Sequence, residues 1–448
     1  MKPRMSIWAL SVITTLVGCA TESRVNRRTI DDAVKAYSGA GIGERKEAGR
    51  FDLPPGITLD SGITIDDAVA IALRNNAQFQ ADLASMPIAE ADVVDAGTIP
   101  NPVLRYLSPN AGIVAQGYLN VAIDVLWQRP ARIEAAQRDA ERMASLLIRR
   151  SYTLIRDVQV AYIDLQLARE RAHLLTENLA LRTQLSEIAG SRLRHGDISD
   201  LEATVSRTDS ATAADDLQRA VLDTLLLGNR LTTLLGMQTT DTTLRLTVKK
   251  VHDSLVLLPK ERYLELAWSY QPEMVAAKAA IEAAGERIGW EKSKVASLTA
   301  VLNYQHVNGT SGNAWLPNAV NPGIQIELPI LNRNQGKIMR AEAELDQAML
   351  QYVALRQRIA LDVTDSYNRY AQVWNSCAIW NTDMLPSLEQ AVRLVRESYR
   401  RGDISYLPVL EAMRQLANGK LRKAEIEAEL QRTVSQLNYS IGKNIPGQ

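Results

Sequence analysis

The sequence predicts a mainly α-helical chain with a membrane β-barrel contribution, in which one unit of helix, β-hairpin, long helix and helix occurs twice. The first observation is a repeat: residues 196–199 read Gly-Asp-Ile-Ser, and residues 402–405 read the same, 206 positions later. Farther upstream, the Asp-Val pair at 157–158 returns at 362–363, a separation of 205. The second observation is composition, because only 5% of the residues are aromatic and only 2 are phenylalanine, which favours long helices over a thick core. A fixed internal spacing indicates a duplicated fold.

The charges of the chain are balanced. Lysine plus arginine number 51, and aspartate plus glutamate also number 51, among 448 residues. Such a balance gives no basic surface for phosphate backbones, so no nucleic-acid partner is expected. The 4 histidines lack ligand spacing and do not cluster with the 2 cysteines, so we expect no metal site and no cofactor. No motif predicts an enzyme.

The N-terminal residues 1–18 have the pattern of a signal peptide. Two basic residues precede a short apolar run, and Leu-Val-Gly-Cys at 16–19 resembles the lipobox at which bacterial lipoproteins are cleaved. Cys19 would then carry a covalent lipid and become the N-terminus of the mature chain. Ala20 stands where an aspartate would retain a lipoprotein at the inner membrane, so delivery to the outer membrane is expected. The alternative is an ordinary buried helix beginning at Met1.

Helical and strand periodicity divide the rest of the chain into two repeats joined by a short connection. The predicted boundaries are a lipidated linker at 19–62, repeat 1 at 63–236 with its hairpin at 101–127, a strand-bearing connection at 237–261, repeat 2 at 262–442 with its hairpin at 297–331, and a tail at 443–448. The predicted helices are 64–97 with a kink at Pro87, 131–195, 199–236, 262–294, 334–401 and 405–442. At 1.5 Å per residue, the long helix of repeat 1 would measure about 100 Å.

The two hairpins point to membrane insertion in more than one copy. Their strands alternate apolar and polar residues over about ten positions, and no stretch after Cys19 is apolar enough for a membrane helix. Four strands cannot close a barrel, since the smallest membrane barrels need about eight. Two copies would give eight strands and a filled lumen, and three would give twelve and a pore. The alternative is a half-buried sheet on a soluble protein.

Two segments carry a resemblance to a known family. Residues 399–412 read YRRGDISYLPVLEA, and residues 328–337 read LPILNRNQGK. The first resembles the tip-turn motif of the TolC-like outer-membrane factors. The second resembles the strand-to-helix segment of that family, in the NRNQG form of its CzcC-like heavy-metal efflux branch. The resemblance covers essentially the whole mature chain.

The resemblance implies an exit duct in the bacterial outer membrane. A homotrimer would form a twelve-stranded barrel in outer-membrane lipid and an α-helical tunnel in the periplasm. The tunnel would dock on a periplasmic adaptor protein and, directly or through it, on an inner-membrane RND pump for heavy metals or drugs. An exit duct for type I protein secretion is the alternative within this class. A soluble periplasmic coiled-coil scaffold is the alternative of another class.

The same resemblance implies an acidic ring that narrows the tunnel just beyond the tip turn. The ring position falls on Glu411, while Pro408 stands where a second acid often lies in the family. At the 206-residue spacing Pro408 corresponds to Glu202, so Glu202 and Glu411 are expected to bring two acids per chain. Three copies would gather about six carboxylates in a narrow mouth, which favours cations. The alternative is that both glutamates are solvated charges on an outer helix face.

The glycine turns are the expected docking points for the adaptor. The residues assigned to the tip turns and to docking are Gly196, Asp197, Gly402, Asp403 and Ser405. Three further residues flank the turns, and salt bridges from them to the two aspartates are expected to clamp a closed tip. These gate residues are Arg194, Arg400 and Arg401. The alternative for both glycines is a plain helix C-cap, which is compatible with docking.

Overall fold

The computed structural model describes residues 21–44, 47, 49–60, 62–108, 115–237, 244–247, 258–295, 297–306, 318–401 and 403–444. The predicted signal peptide, Cys19 and Gly402 lie outside the described residues. The chain divides into two compact units. One contains residues 84–146 and 273–355 together with the N-terminal residues through Thr29. The other contains residues 30–83, 147–272 and the chain from Arg356 onward.

The helices and strands follow the duplicated order that the sequence predicts. In chain order they are α1 Arg27–Ser38, α2 Ile65–Asn75, α3 Ala77–Leu83, α4 Ser85–Gly97, β1 Val103–Leu107, β2 Ala115–Ala122, α5 Val125–His195, α6 Asp200–Leu234, α7 Lys260–Tyr270, α8 Pro272–Ser293, β3 Ser297–His306, β4 Asn318–Glu327, α9 Gln335–Ile379, a π-helical segment Trp380–Met384, α10 Leu385–Arg401 and α11 Tyr406–Ile441. Among the described helices, none combines the length and the apolar character that a membrane span requires.

The first predicted helix, at 64–97, is three helices in the structure. Asn76 separates α2 from α3, and its side-chain amide donates a hydrogen bond to the carbonyl of Leu234 at 3.0 Å. The kink predicted at Pro87 is wrong, because the break falls at Ala84, between α3 and α4. Pro87 instead lies in the first turn of α4, where no intrahelical acceptor exists for the N–H that proline lacks.

Several predicted boundaries also shift. The hairpin predicted at 101–127 ends with β2, at 115–122, and the hairpin predicted at 297–331 ends with β4, at 318–327. β4 contains Pro322, which is tolerated because β4 is an edge strand and the proline need not donate to a second neighbour. In the described part of the connection, Leu246 forms only an isolated parallel bridge with Ile63.

The helix predicted at 334–401 is interrupted by the π-helical segment. There the N–H of Leu385 donates to the carbonyl of Trp380, five residues earlier, instead of to the residue four earlier. Pro386 follows directly. It has no N–H to donate to an earlier carbonyl, and in a regular α-helix its ring would clash with the carbonyl four residues before it. The wider turn accommodates the proline without ending the helix. The equivalent stretch of α5 is continuous α-helix.

The four strands form one antiparallel sheet in the order β1-β2-β3-β4. The two predicted hairpins are therefore confirmed, and the second strand of repeat 1 pairs with the first strand of repeat 2. Leu104 of β1 lies opposite Leu119 of β2, which lies opposite Leu302 of β3, which lies opposite Pro322 of β4. This register places every residue of the sheet on one of two faces.

Candidate functional site

One face of the four-stranded sheet is apolar, and we call it the apolar face. Because directly opposed residues in antiparallel strands share a face, the register identifies its members. They are Leu104, Tyr106, Gly117, Leu119, Val121, Leu298, Ala300, Leu302, Tyr304, Val320, Pro322, Ile324 and Ile326. Leu104 is 74% exposed and Ile324 is 66% exposed, so these large side chains are not covered within the chain. A patch of this size marks a contact with lipid or with another protein.

The opposite face is mainly polar, and we call it the polar face. Its polar members are Arg105, Gln116, Tyr118, Asn120, Ser297, Thr299, Asn303, Gln305, Asn321, Gln325 and Glu327. The hydroxyl of Tyr118 donates to the side-chain carbonyl of Gln116 at 2.8 Å. The hydroxyl of Ser297 donates to Glu327 at 3.1 Å. Amide side chains dominate this face, which can therefore stay hydrated while the other face meets an apolar medium.

The sheet ends in two unpaired edges. Within the described residues, β1 pairs only with β2, and β4 pairs only with β3. An open edge leaves backbone N–H and C=O groups without partners, which is unfavourable in lipid and promotes association in water. The sheet is thus a wall segment that requires further strands on both sides.

The two helix turns predicted as a matched pair share one backbone hydrogen bond. At the end of α5, Gly196 has a φ of +81°, and the N–H of Asp197 donates to the carbonyl of Arg192 at 2.9 Å. At the end of α10, the N–H of Asp403 donates to the carbonyl of Ser398 at 3.0 Å. The two bonds connect equivalent positions 206 residues apart. Bonds of this six-to-one type end helices at a left-handed residue, a conformation that glycine adopts most easily.

The helices that follow the turns start differently. Ser199 caps α6, since its hydroxyl accepts from the N–H of Glu202 at 3.3 Å. Ser405 occupies the same position before α11 but makes no capping bond with its side chain. Glu202 lies in the first turn of α6, where a negative charge is favoured by the helix dipole. The first turn of α11, in contrast, contains no acid, and Glu411 lies farther along that helix.

Both predicted ring acids, Glu202 and Glu411, are exposed in the single chain. The carboxylate of Glu411 accepts from the side-chain amide of Gln415 at 3.1 Å, one helical turn farther along α11. This bond holds the glutamate along the helix surface without removing its charge. Exposure leaves both carboxylates available to contact ions or neighbouring chains.

The arginines beside the turns are also exposed. The Nε of Arg401 lies 3.8 Å from a carboxylate oxygen of Asp403, and its Nη2 lies 3.6 Å from Glu397. These contacts stay within one turn of the chain instead of joining adjacent helices. Arg194 borders an open groove of 680 Å³ between α5 and α6. The side chain of Arg400 lies outside the described part of the chain.

A small apolar core holds the second turn in place. Val392 of α10 and Val409 and Met413 of α11 are buried together. Ile404, from the turn itself, packs against this cluster together with residues of α5. The turn at Asp403 is therefore attached to three helices, which fixes where its charged residues lie.

The sequence pattern did not identify a polar anchor at the start of α9. Asn334 has a φ of +57°, and its side-chain amide donates to both the carbonyl and the carboxylate of Glu291, each at 2.8 Å. Lys294 donates to the other carboxylate oxygen at 2.6 Å. Burial raises the pKa of Glu291, but the bonds from Lys294 and Asn334 outweigh it and leave that pKa lowered. The asparagine in the NRNQG segment was the available signal, since asparagine tolerates the left-handed conformation.

Replacing Asn334 with alanine is expected to lower stability by about 2–3 kcal/mol, because it removes bonds to a charged group and because alanine tolerates a positive φ less well than asparagine does. Asn334→Gly is the matched variant, since glycine adopts the same φ and loses only the bonds. Thermal dissociation of the assembled protein should rank the proteins as wild type, Asn334→Gly, Asn334→Ala. Equal midpoints for all three would show that the anchor does not contribute.

The N-terminal segment is fastened to the start of α5. The guanidinium of Arg24 donates two bonds to the carboxylate of Glu134, at 2.9 and 2.8 Å. The backbone N–H of Arg24 donates to the side chain of Gln137 at 2.9 Å, and that side chain donates to the carbonyl of Glu22 at 2.7 Å. The bond from Arg24 lowers the pKa of Glu134 below its ordinary value of 4.5.

This fastening is expected to weaken in acid. A carboxyl group whose pKa is lowered on folding stabilises the folded state above its ordinary pKa, and this contribution is lost as the pH falls through the lowered value. Arg24 is half exposed, so the effect is about 1 kcal/mol at most. Hydrogen exchange of the Arg24 amide, corrected for its intrinsic pH dependence, should lose protection as the pH falls through the lowered pKa of Glu134. In Glu134→Gln, protection of the Arg24 amide should be lower at neutral pH and should not change with pH. If the variant shows the same pH dependence as the wild type, the assignment to Glu134 is wrong.

Comparison with known proteins identifies the architecture. The family model for outer membrane efflux protein matches residues 264–443. The chain is 24% identical over 385 residues to the cobalt-zinc-cadmium resistance protein CzcC of Cupriavidus metallidurans, covering 85% of this chain and 90% of that protein. Its fold is similar to that of a membrane protein from Pseudomonas aeruginosa, with a TM-score of 0.71 at 17% identity, covering 89% of this chain and 99% of that one. It is equally similar to CusC, which forms a transmembrane channel: the TM-score is 0.71 at 19% identity, covering 90% and 98%.

The duplicated helical turns and the four-stranded sheet are those of a TolC-like channel fold. Residues 264–443 match the outer membrane efflux protein family, in agreement with the resemblance in the sequence. Repeat 2 accounts for the family match, and the relatives align across both repeats.

Proposed function

We propose that the chain is the outer-membrane exit duct of a tripartite efflux system. The observation that carries this proposal is the sheet, which has an exposed apolar face, a polar face and two unpaired edges. Such a sheet suits a barrel wall with lipid on one side and water on the other. A soluble coiled-coil scaffold would have no use for an uncovered apolar face.

The proposed duct is a homotrimer. Four strands from each of three chains give a twelve-stranded barrel, in which every edge is paired and a lumen remains. The lipid on Cys19 would anchor each chain to the same membrane. The fastening of Glu22 and Arg24 to α5 supports this arrangement, because it places the residues just after the lipid against a helix of the unit that contains the sheet.

The proposed cargo is a heavy-metal cation. Similarity to a cobalt-zinc-cadmium resistance protein supports this class of substrate. In the trimer Glu202 and Glu411 would form acidic rings near the turns, and the turns at Asp197 and Asp403 would dock on a periplasmic adaptor. The adaptor would connect the duct to an inner-membrane RND pump, which supplies the energy and selects the cargo.

Deletion of the coding sequence in its host, with complementation, tests this function. Loss of resistance to divalent zinc, cobalt or cadmium, restored by the wild-type chain, is the expected result. The purified protein should migrate as a heat-modifiable trimer and conduct ions in planar bilayers. A monomer that is released without detergent and conducts no ions would overturn the proposal. Failure to export a protein toxin, rather than a metal, would point to type I secretion.

A further inference from the structure

We infer that β4 of one copy pairs with β1 of the next in a single register, which places Gln325 opposite Arg105 and Glu327 opposite Val103, and that Arg105 and Glu327 form an ion pair across this junction. The inference rests on the proposed trimer and specifies how its copies join. The internal duplication, the continuity of the two faces and the position of the charges support it.

The duplication supplies the register. The contact between β2 and β3 joins the second strand of repeat 1 to the first strand of repeat 2, and the contact between β4 and the neighbour's β1 is its counterpart. The last residues of β2 and β4, Ala122 and Glu327, are 205 residues apart, and the same separation holds between positions 157 and 362 of the helices that follow. The two residue numbers of an opposed pair add up to 401 more in the second hairpin, as for Ser297 and Glu327, than in the first, as for Val103 and Asn120. Since equivalent residues of β2 and β4 are 205 apart, equivalent residues of β1 and β3 are 401 − 205, or 196, apart.

These offsets convert each pair between β2 and β3 into a pair between copies. Ala122 lies opposite Thr299 within the chain. Adding 205 to the first number and subtracting 196 from the second gives Glu327 opposite Val103. The pair Asn120 and Val301 converts in the same way to Gln325 opposite Arg105.

The faces of the sheet continue across this junction. In the inferred register Ile326 lies opposite Leu104, and Ile324 lies opposite Tyr106, all on the apolar face. Polar-face residues likewise meet polar-face residues. A slip by one residue would turn the apolar side chains of one strand toward the polar face of the next, so only registers that differ by an even number retain both faces.

The charges exclude the even registers that separate Arg105 from Glu327. Arg105 and Glu327 are the two charged residues on the polar face among the described strand residues, and they lie on opposite edge strands. In the inferred register they are diagonal neighbours, about 7–8 Å apart at the backbone, which long side chains can bridge. A slip by four residues in the direction that puts Asn321 opposite Arg105 would separate the charges by about 20 Å along the strand.

Disulfide trapping tests the register in the full-length protein with Cys377 replaced by alanine. Opposed residues in antiparallel strands lie about 4.5–5.5 Å apart, a distance that a disulfide fits, whereas diagonal neighbours are too far apart. Leu107→Cys with Gly323→Cys should give a ladder of linked chains on oxidation in isolated membranes. The matched pairs, Leu107→Cys with Asn321→Cys or with Gln325→Cys, should give less than about a tenth of that product.

The outcomes separate this inference from the proposed trimer. If a matched pair gives the dominant product, the register is wrong and the trimer stands. If no pair links two chains and the protein still migrates as a heat-modifiable trimer, the register is wrong and the trimer stands; a monomer would contradict the proposed function as well. For the ion pair, Arg105→Glu should lower the yield of heat-modifiable trimer severalfold, and Arg105→Glu with Glu327→Arg should restore most of it. Equal yields for the single and double variants would overturn the ion pair.

Discussion

Replacing Leu302 with arginine is expected to remove the protein from the outer membrane, whereas the same replacement at Asn303 is expected to leave it there. Leu302 lies in the middle of β3 on the apolar face, and Asn303 is its neighbour on the polar face. A lipid-facing arginine near the bilayer midplane costs about 2–4 kcal/mol. A trimer carries the change three times, so the total approaches the whole stability of an ordinary domain.

Membrane fractionation and the yield of heat-modifiable trimer measure this effect. The two variants introduce the same side chain one residue apart, so synthesis and export should be equal for both. A difference in trimer yield would then result from the face on which the arginine lies. A severalfold or greater loss of trimer in Leu302→Arg, with near-normal yield in Asn303→Arg, is the expected result. Equal yields would mean that the apolar face does not meet lipid.

Replacing Glu202 and Glu411 together with glutamine should reduce the preference for cations in planar-bilayer recordings. Glutamine keeps the size of each side chain and removes about six negative charges from the trimer. The permeability ratio of potassium to chloride should fall severalfold, and block by divalent or trivalent cations should weaken. Each single variant should show a smaller change.

The matched control for this prediction is Glu397→Gln. Glu397 is an exposed acid on α10, near the second turn but outside the proposed rings, and it pairs with Arg401 at 3.6 Å. Its replacement should leave selectivity near the wild-type value. If the double variant and the control behave alike, the two glutamates are solvated charges on an outer surface, which is the alternative that the sequence left open.

The sequence predicted the repeats and the hairpins because both depend on local, periodic patterns. Alternating residues gave the four strands, and the repeated Gly-Asp-Ile-Ser gave two turns with equivalent backbone bonds at Asp197 and Asp403. The order of the strands and the pairing of β2 with β3 required the structure. Only their register shows that the four strands place most of their large apolar residues on the same face.

Other features depend on contacts between distant residues, which no local pattern of residues predicts. The break at Asn76 depends on the carbonyl of Leu234, which is far along the chain. The anchor at Asn334 depends on Glu291, which belongs to a different helix. The structure of the single chain shows only that the predicted ring and gate residues lie beside the turns. Their roles depend on neighbouring copies, so they stay predictions.

The π-helical segment also records how the two halves of the chain diverged. Equivalent residues are 205 apart at Asp157 and Asp362 but 206 apart at the turns, so the second half has one more residue between these points than the first. The segment at 380–384 lies in that interval, and an i-to-i−5 turn is the way a helix absorbs a single insertion without rotating all that follows. The descendant helix could therefore lengthen by one residue while its tip kept the orientation inherited from the common ancestor of both halves.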